Sequence, residues 1–233
     1  MKTLSTTLLL FILTVSLINA QNDNNSKWSV RLNAINVLTN ENDPIKDADL
    51  VMSNAFGFEI GVKYFFNKNI ATEFSFGCSN HETKIQYNDF EQHRYDIGDV
   101  RIIPLNLNFQ YHFILNNFRP YIGAGVNYTS FIVDVDNDLI GGVHGGEFDS
   151  TVGFTLQGGI IYDISNRWFV NIDIKQMFIS TDMTTYHGWC GTPEKSTNTK
   201  VMVPCPDYNV EEVKTKVDIN PLSIGFGIGY KFL

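Results

Sequence analysis

The C-terminal end of the chain carries its most regular alternation of apolar and polar positions. From Leu222 to Phe232, every second residue is apolar, and the residues between them are serine, glycine or lysine. Since a β-strand sends successive side chains to opposite faces, this pattern predicts a strand with one wholly apolar face. About eleven residues at ~3.3 Å each cover roughly 36 Å, and a tilt of ~45° gives about 25 Å of height, which matches the apolar band of an outer-membrane barrel. The segment is therefore predicted to be a transmembrane strand that closes a barrel.

The same period of two recurs in seven earlier segments. These predicted strands cover residues 28–37, 56–66, 70–76, 105–113, 121–128, 152–163 and 168–175. Short links near Asn67, Asn116 and Asn166 alternate with long polar connections, which cover 38–54, 78–102, 131–150 and 182–216. Short turns at one end and long loops at the other are typical of outer-membrane proteins, whose short turns are periplasmic. The predicted fold class is all-β: an eight-stranded antiparallel transmembrane β-barrel of the bacterial outer membrane.

The distribution of charge predicts which face of the sheet meets lipid. The charged residues of the predicted strands all fall opposite the apolar face: Arg31, Glu59, Lys63, Glu73, Arg119, Asp163, Asp173, Lys175 and Lys231. A Lys or Arg in the middle of a lipid-facing surface would cost ~2–4 kcal/mol. A soluble barrel of the lipocalin type would reverse the two faces, and alternation alone does not distinguish the two. Aromatic residues gather beside the short turns as an interfacial girdle, which favours lipid outside.

The N-terminal 20 residues read as an export signal. One Lys precedes a largely apolar run of about eleven residues, which is shorter than the ~20 needed to span a bilayer as a helix. A retained anchor is the alternative. Residues 1–20 are thus predicted to be a signal peptide, and 21–233 an outer-membrane barrel with long extracellular loops. Loss of Lys2 leaves 16 Lys and Arg against 25 Asp and Glu, and this acidity argues against nucleic acid as a partner.

Three cysteines are an odd number for an exported protein. Cys190 and Cys205 lie in one polar segment, and a disulfide between them would close a loop of ~15 residues, worth about 3 kcal/mol in the chain-entropy model. Cys78 would remain a free thiol. Zinc binding by these two cysteines and His187 is the alternative, but the spacing is not that of a zinc site. No metal or cofactor is predicted.

Several segments resemble the outer-membrane protein W (OmpW) family of small barrels. They are WSVRLNAINV at 28–37, KNIATEFSF at 68–76, PLNLNFQYHF at 104–113, FRPYIGAGVNYTSF at 118–131 and DINPLSIGFGIGYKF at 218–232. The resemblance implies an eight-stranded outer-membrane barrel associated with the passage of small hydrophobic compounds. Two features depart from the family pattern. Leu233 follows the usual terminal Phe, and Ser75 and Lys175 stand where family members carry apolar lumen residues, which argues against an apolar constriction in mid-barrel.

Two groups of inward-facing residues are candidates for function. The first is a lumen charge network of nearly balanced sign: Arg31, Glu59, Lys63, Glu73, Asp173, Lys175 and Lys231. Because buried charges need partners, it is predicted to plug the lumen. The second is an apolar patch at the extracellular mouth, where the ends of three neighbouring strands meet: Ile35, Val37, Met177, Ile179, Val217 and Ile219.

These two groups predict a barrel that binds or passes small hydrophobic molecules at its mouth and releases them sideways into the bilayer. The alternative is that the patch has a structural role only and packs against the long loops. A structural or surface-interaction barrel without transport is the second class of function. An enzyme is not predicted, because no Ser/His/Asp set is evident: four of the five histidines fall in predicted loops. The expected partners are outer-membrane lipid and lipopolysaccharide, a small hydrophobic molecule and the barrel insertion machinery.

Overall fold

The computed structural model describes residues 26–39, 43–45, 48–87, 94–134, 143–188 and 210–232. Within these ranges the chain forms strands β1 (Trp28–Leu38), β2 (Asp43–Ile45), β3 (Ala48–Met52), β4 (Ala55–Phe65), β5 (Ile70–Tyr87), β6 (Arg94–His112), β7 (Phe118–Asp134), β8 (Val143–Phe148), β9 (Thr151–Asp163), β10 (Trp168–Phe178), β11 (Ser180–Gly188), β12 (Val210–Asp218) and β13 (Leu222–Phe232). In the same ranges, no helix is long and apolar enough to cross a membrane.

Eight of these strands close into a barrel. Their order around the wall is β1, β4, β5, β6, β7, β9, β10 and β13, and every neighbouring pair is antiparallel. The first and last strands complete the ring, with Trp28 opposite Phe232. Closure leaves no free sheet edge within the wall, as a bilayer requires. The predicted eight-stranded antiparallel barrel is confirmed.

The two faces of the wall are arranged as the alternation predicts. Large apolar side chains point outward, among them Phe109, which is 60% exposed, and Phe226, which is 62% exposed. Polar side chains point inward, and Asn33 and Glu73 are fully buried. Aromatic rings pair at the periplasmic rim, for example Trp28 with Tyr64, whose centroids are 4.8 Å apart. This outer surface is suited to hydrocarbon and the inner one is not.

The inner face of β13 is nearly bare. Its inward positions include Gly225, Gly227 and Gly229. A Cβ on Gly229 would lie 2.1 Å from a ring carbon of Phe169, so that ring occupies the space a side chain would need. Side chains from neighbouring strands therefore fill the lumen along this wall.

All four predicted long connections contain strands: 78–102 is mostly strand, and strands make up most of the described residues of the other three, so their prediction as loops was wrong. β5 and β6 continue through most of 78–102 and pair with each other up to Gln86 and Arg94. β8, β11 and β12 form a separate three-stranded sheet from parts of 131–150 and 182–216, and the β2–β3 hairpin extends the edge of β5. Outward positions on these extensions are polar, as at Asn80 and Glu82, because they stand above the hydrocarbon. The apolar face that marks the membrane strands is therefore missing.

Two predictions concern residues that the structure does not describe. The signal peptide at 1–20 and the disulfide between Cys190 and Cys205 lie outside the described ranges. Cys78 lies on β5 as a half-buried free thiol.

Candidate functional site

The middle of the lumen is filled by buried ion pairs centred on Arg31. Its guanidinium Nη2 lies 2.7 Å from Glu59 Oε1, 2.8 Å from Glu73 Oε1 and 3.6 Å from Asp173 Oδ1. Its Nε donates a second hydrogen bond to Glu73 Oε2 at 2.9 Å. Charge-assisted hydrogen bonds of this forked kind fix geometry as well as neutralising charge.

Two lysines complete this group. Lys175 Nζ donates to Glu59 Oε2 at 2.5 Å and to Ser75 Oγ at 3.1 Å. Lys63 Nζ lies 3.3 Å from Glu73 Oε2. We call the six charged residues the charged floor: Arg31, Lys63, Lys175, Glu59, Glu73 and Asp173. All six are at most 4% exposed, and three positive charges face three negative ones.

The structure does not join Lys231, the seventh predicted member, to the charged floor. Its Nζ pairs with Asp163 Oδ1 at 2.5 Å near the periplasmic end, where Arg119 Nε is 3.4 Å from Asp163 Oδ2. Between the two charged groups lies a small apolar cluster of Tyr121, Ile161 and Phe169. The lumen is thus packed from the charged floor down to the periplasmic rim.

Neutral partners of the charged floor were not identified from the sequence. Tyr121 Oη donates to Asp173 Oδ2 at 2.5 Å, and Gln157 Nε2 donates to Asp173 Oδ2 at 2.7 Å and to Glu73 Oε1 at 3.0 Å. Gln110 Nε2 in turn donates to Gln157 Oε1 at 2.8 Å. Alternation shows that these residues face inward, but strand tilt decides which of them meet.

The six predicted mouth residues all face inward and are between 1% and 5% exposed. Ile35 and Val37 lie on β1, Met177 on β10 and Val217 on β12, while Ile179 and Ile219 lie in the links that follow β10 and precede β13. Strands β1, β13 and β10 are neighbours in the wall. Two of them, Val217 and Ile219, pack with four residues that the sequence analysis did not select. We call this set the mouth cluster: Met52, Val100, Ile102, Met183, Val217 and Ile219. The other four predicted residues, Ile35, Val37, Met177 and Ile179, are buried outside this cluster.

His81 was predicted to lie in a loop, but it lies on β5 beside the mouth cluster and hydrogen-bonds to neighbouring residues of the wall. Its Nδ1 donates to the Ser53 carbonyl at 2.7 Å, which leaves Nε2 to accept from Ser79 Oγ at 2.8 Å. Val100 of the mouth cluster is its register partner on β6. The imidazole is fully buried, and burial lowers the pKa of His81 below its ordinary value. His81 therefore makes both hydrogen bonds as the neutral imidazole.

The wall has an irregular stretch between β10 and β13, level with the predicted mouth residues. Met177 N donates to the Pro221 carbonyl at 3.0 Å, but Pro221 has no N–H to return the bond. The Met177 carbonyl instead accepts from the side chain of Gln176, at 3.0 Å, and that same Nε2 donates to the Asn220 carbonyl at 2.9 Å. One backbone bond of the ladder is thus replaced by a side-chain amide.

A second main-chain bond is replaced at the next pair of residues toward the extracellular end. Ile219 N donates to the Ile179 carbonyl at 3.0 Å, whereas Ile179 N donates to Asn220 Oδ1, also at 3.0 Å. Asn220 has a positive φ of 38°, which few residues other than glycine and asparagine adopt readily. We call residues 176–179 and 219–222 the seam. Here two amide side chains stand in for main-chain bonds between adjacent strands.

In the described part of the chain, no group of three His, Cys, Asp or Glu side chains is placed to hold a metal ion. An apolar outer wall, a charged and closed floor and an apolar mouth define an outer-membrane β-barrel with a filled lumen.

The chain belongs to the OmpW family, whose family model matches residues 27–232. It is 29% identical over 211 residues to an uncharacterized outer-membrane protein of Sinorhizobium fredii, an alignment that covers 89% of this chain and 80% of that protein. It is also 29% identical over 139 residues to the dibenzothiophene metabolism operon protein PahQ of Pseudomonas aeruginosa, covering 58% of this chain and 53% of that protein. The crystal structure of the outer-membrane protein OprG from Pseudomonas aeruginosa matches the fold with a TM-score of 0.71 at 18% identity, covering 91% of this chain and 99% of that one. The protein is therefore an OmpW-family barrel of the Gram-negative outer membrane.

Proposed function

We propose that this barrel takes up small hydrophobic molecules at its extracellular mouth and releases them sideways into the outer membrane. The observation that carries the proposal is the order of layers in the lumen. A buried apolar mouth stands above a floor closed by ion pairs. An apolar molecule that enters the mouth cannot continue through the floor without separating paired charges in a low-dielectric interior.

The size of the barrel supports the same route. Eight strands enclose an interior that side chains alone can fill, so a continuous aqueous pore is not expected. We therefore expect little steady ionic conductance from the purified protein in planar bilayers. A sustained, open-channel current would contradict the closed floor.

The seam supports release through the wall. Main-chain bonds hold neighbouring strands together along the whole membrane-spanning barrel, and separating them in lipid is unfavourable because the freed groups find no partner. At the seam, the side chains of Gln176 and Asn220 make two of these bonds instead. Opening the seam would still break two main-chain bonds, from Met177 N to the Pro221 carbonyl and from Ile219 N to the Ile179 carbonyl, but the other two links are side-chain amides that can rotate away. The seam also contains Met177 and Ile179, both predicted mouth residues.

The relatives support an apolar ligand. One of them is named for an operon of dibenzothiophene metabolism, and dibenzothiophene is an apolar aromatic compound. By that analogy, the ligand of this barrel is small and largely apolar.

Uptake of a small hydrophobic fluorophore tests the mouth. The protein would be reconstituted into liposomes with a lipopolysaccharide outer leaflet, which resists apolar molecules. Ile35→Asp with Ile219→Asp is expected to lower the uptake rate about tenfold or more, because charge in an apolar pocket without a partner is strongly unfavourable. Ile35→Leu with Ile219→Leu is the matched control and should retain uptake. Unchanged uptake in the Asp variant would favour the alternative, a structural or surface-interaction barrel.

A reversible crosslink tests the seam. Ser180 and Asp218 are register partners just above it, so Ser180→Cys with Asp218→Cys places a disulfide there without altering Gln176 or Asn220. Oxidation should stop uptake, and reduction of the same sample should restore it. Asn36→Cys with Ile224→Cys is the control, since it ties β13 to β1 on the other side and alters no seam residue. Equal uptake by the oxidised and reduced seam variant would exclude lateral release at this position.

A further inference from the structure

Four polar side chains lie between the mouth cluster and the charged floor. They are Asn106 and Asn108 on β6 and Asn127 and Thr129 on β7, and each is at most 1% exposed. Asn106 and Asn127 are direct register partners. On its other side, Asn106 is the register partner of Ser75, which accepts a hydrogen bond from Lys175 of the charged floor. These four residues, which we call the amide layer, thus sit immediately above the ion pairs.

The amide layer has unused hydrogen-bonding capacity. Among the described residues, neither carboxamide atom of Asn106 or Asn127 has a hydrogen-bond partner, and the same holds for Thr129 Oγ1 and Asn108 Nδ2. Only Asn108 Oδ1 is satisfied, by the hydroxyl of Thr155. Buried polar atoms almost always have partners, since leaving one unpaired is unfavourable. A ligand group that supplies such partners would therefore be favoured at this level over continued apolar packing.

The chemistry of the layer indicates which group that is. Carboxamides and a hydroxyl both donate and accept, and none of them carries charge. The charges of the floor below are already matched three against three. A carboxylate or ammonium would arrive without a counter-charge in a buried site, which is costly. A neutral hydroxyl, carbonyl or amide would not have this difficulty.

The mouth cluster lies far enough above the amide layer to hold the apolar part of such a ligand. Ile102 lies four residues above Asn106 on the inner face of β6, and Phe131 lies four above Asn127 on β7 and packs against the mouth cluster. Four residues of strand correspond to about 13 Å. One elongated molecule could place its apolar body among the mouth cluster and one end at the amide layer.

We propose that the ligand is amphipathic, with an apolar body held by the mouth cluster and a neutral polar head bound by Asn106 and Asn127. This inference rests on the proposed uptake function, since it names the class of molecule that the same mouth receives. It goes further in predicting discrimination by the head group. Medium-chain alcohols, and esters or ketones of similar shape, should be preferred over alkanes and over fatty-acid anions.

The test compares decane, decanol and decanoate on the protein in lipid nanodiscs, with binding corrected for partition into empty nanodiscs. Decanol is expected to bind about tenfold more tightly than decane, as two net hydrogen bonds of a few-fold each would give. It should also shift the side-chain NH₂ signals of Asn106 and Asn127 in NMR spectra, whereas decane should not. Equal affinity for decane and decanol, or tighter binding of decanoate, would overturn the proposal.

Variants of the amide layer complete the test. Asn106→Leu with Asn127→Leu should reduce the preference for decanol over decane to about one while leaving decane affinity similar. Thr129→Val, a smaller change, provides a second variant should the first fail to fold. Asn117→Leu, in a periplasmic turn, is the matched control. A preference that persists in the double variant contradicts the assignment of these two residues.

Failure of the head-group site can be distinguished from failure of the uptake function. If decanol binds at the amide layer but the protein speeds uptake of no compound of the series into the liposomes, the uptake function is wrong and the head-group site stands. If decane and decanol are taken up equally well and the variants change nothing, uptake stands and the head-group site is wrong.

Discussion

The floor and the mouth of this lumen are held together by different forces, although only a few strand residues separate them. The charged floor consists of ions that satisfy one another, and removing any one of them leaves others unpaired. The mouth cluster consists of apolar side chains whose contacts are individually small and interchangeable. The difference implies that the floor has essentially one arrangement, whereas the mouth can repack around a guest. The proposed uptake with lateral release requires such a fixed barrier beneath a mouth that can repack.

The largest effect is expected from removing Arg31. Arg31→Met should destabilise the barrel by about 3–5 kcal/mol, because Glu59, Glu73 and Asp173 would be left buried with too few positive partners. Urea-induced unfolding in lipid vesicles, followed by tryptophan fluorescence, measures this change.

The control for that prediction restores the charge balance. Adding Glu73→Gln to Arg31→Met should recover part of the lost stability, since one uncompensated carboxylate is removed. If Arg31→Met alone changes the unfolding free energy by less than about 1 kcal/mol, the floor is not held by its ion pairs.

A smaller effect is expected at the mouth. Ile102→Ala should cost about 2–4 kcal/mol in a rigid core, and less if the mouth cluster repacks. The same unfolding measurement applies, with Ile102→Val as the control of intermediate size. A loss as large as that of Arg31→Met would show that the mouth is as rigid as the floor, and the contrast between the two regions would be lost.

The smallest effect is expected from pH at the mouth. Burial lowers the pKa of His81 in the folded protein, so the exposed imidazole binds a proton more readily than the buried one. The stabilisation is complete above the ordinary histidine pKa of about 6.5, and it declines as pH falls below that value. The charged floor contains no histidine.

The methyl NMR signals of Met52 and Met183, both in the mouth cluster, would report this change. They should shift only at pH values below the ordinary histidine pKa of about 6.5, because a protonated His81 could no longer accept the Ser79 hydroxyl. His81→Gln removes the titrating group and should abolish the shift. A shift that persists in that variant would assign the pH response to another group.

The membrane-spanning part of the fold could be predicted from the sequence because hydrocarbon imposes a strict rule on it. Every outward position must be apolar, as at Phe109 and Phe226, and the period of two follows. Above the membrane, outward positions no longer need to be apolar. Residues such as Asn80 and Glu82 face outward into water, so the continuation of β5 and β6 carried no apolar face and was predicted as loop.

The candidate site was predictable to the same extent. Alternation alone gave the inward charges and two of the six residues of the mouth cluster, Val217 and Ile219. Val100 and Ile102 were missed because they lie in a segment predicted as loop, although they complete the mouth cluster. Which inward residues meet, such as Gln157 with Asp173, depends on the tilt of the strands around the closed wall. That stagger is a property of the whole ring and cannot be obtained from one strand.

The bare inner face of β13 bears on how the barrel is assembled. Asn33 from β1 and Phe169 from β10 already occupy the space opposite Gly227 and Gly229, where a Cβ would come within about 2 Å of either side chain. Strand β13 thus contributes wall but few side chains to the lumen. The side chains of the other seven strands can pack against one another there, and β13 can join the ring without displacing them.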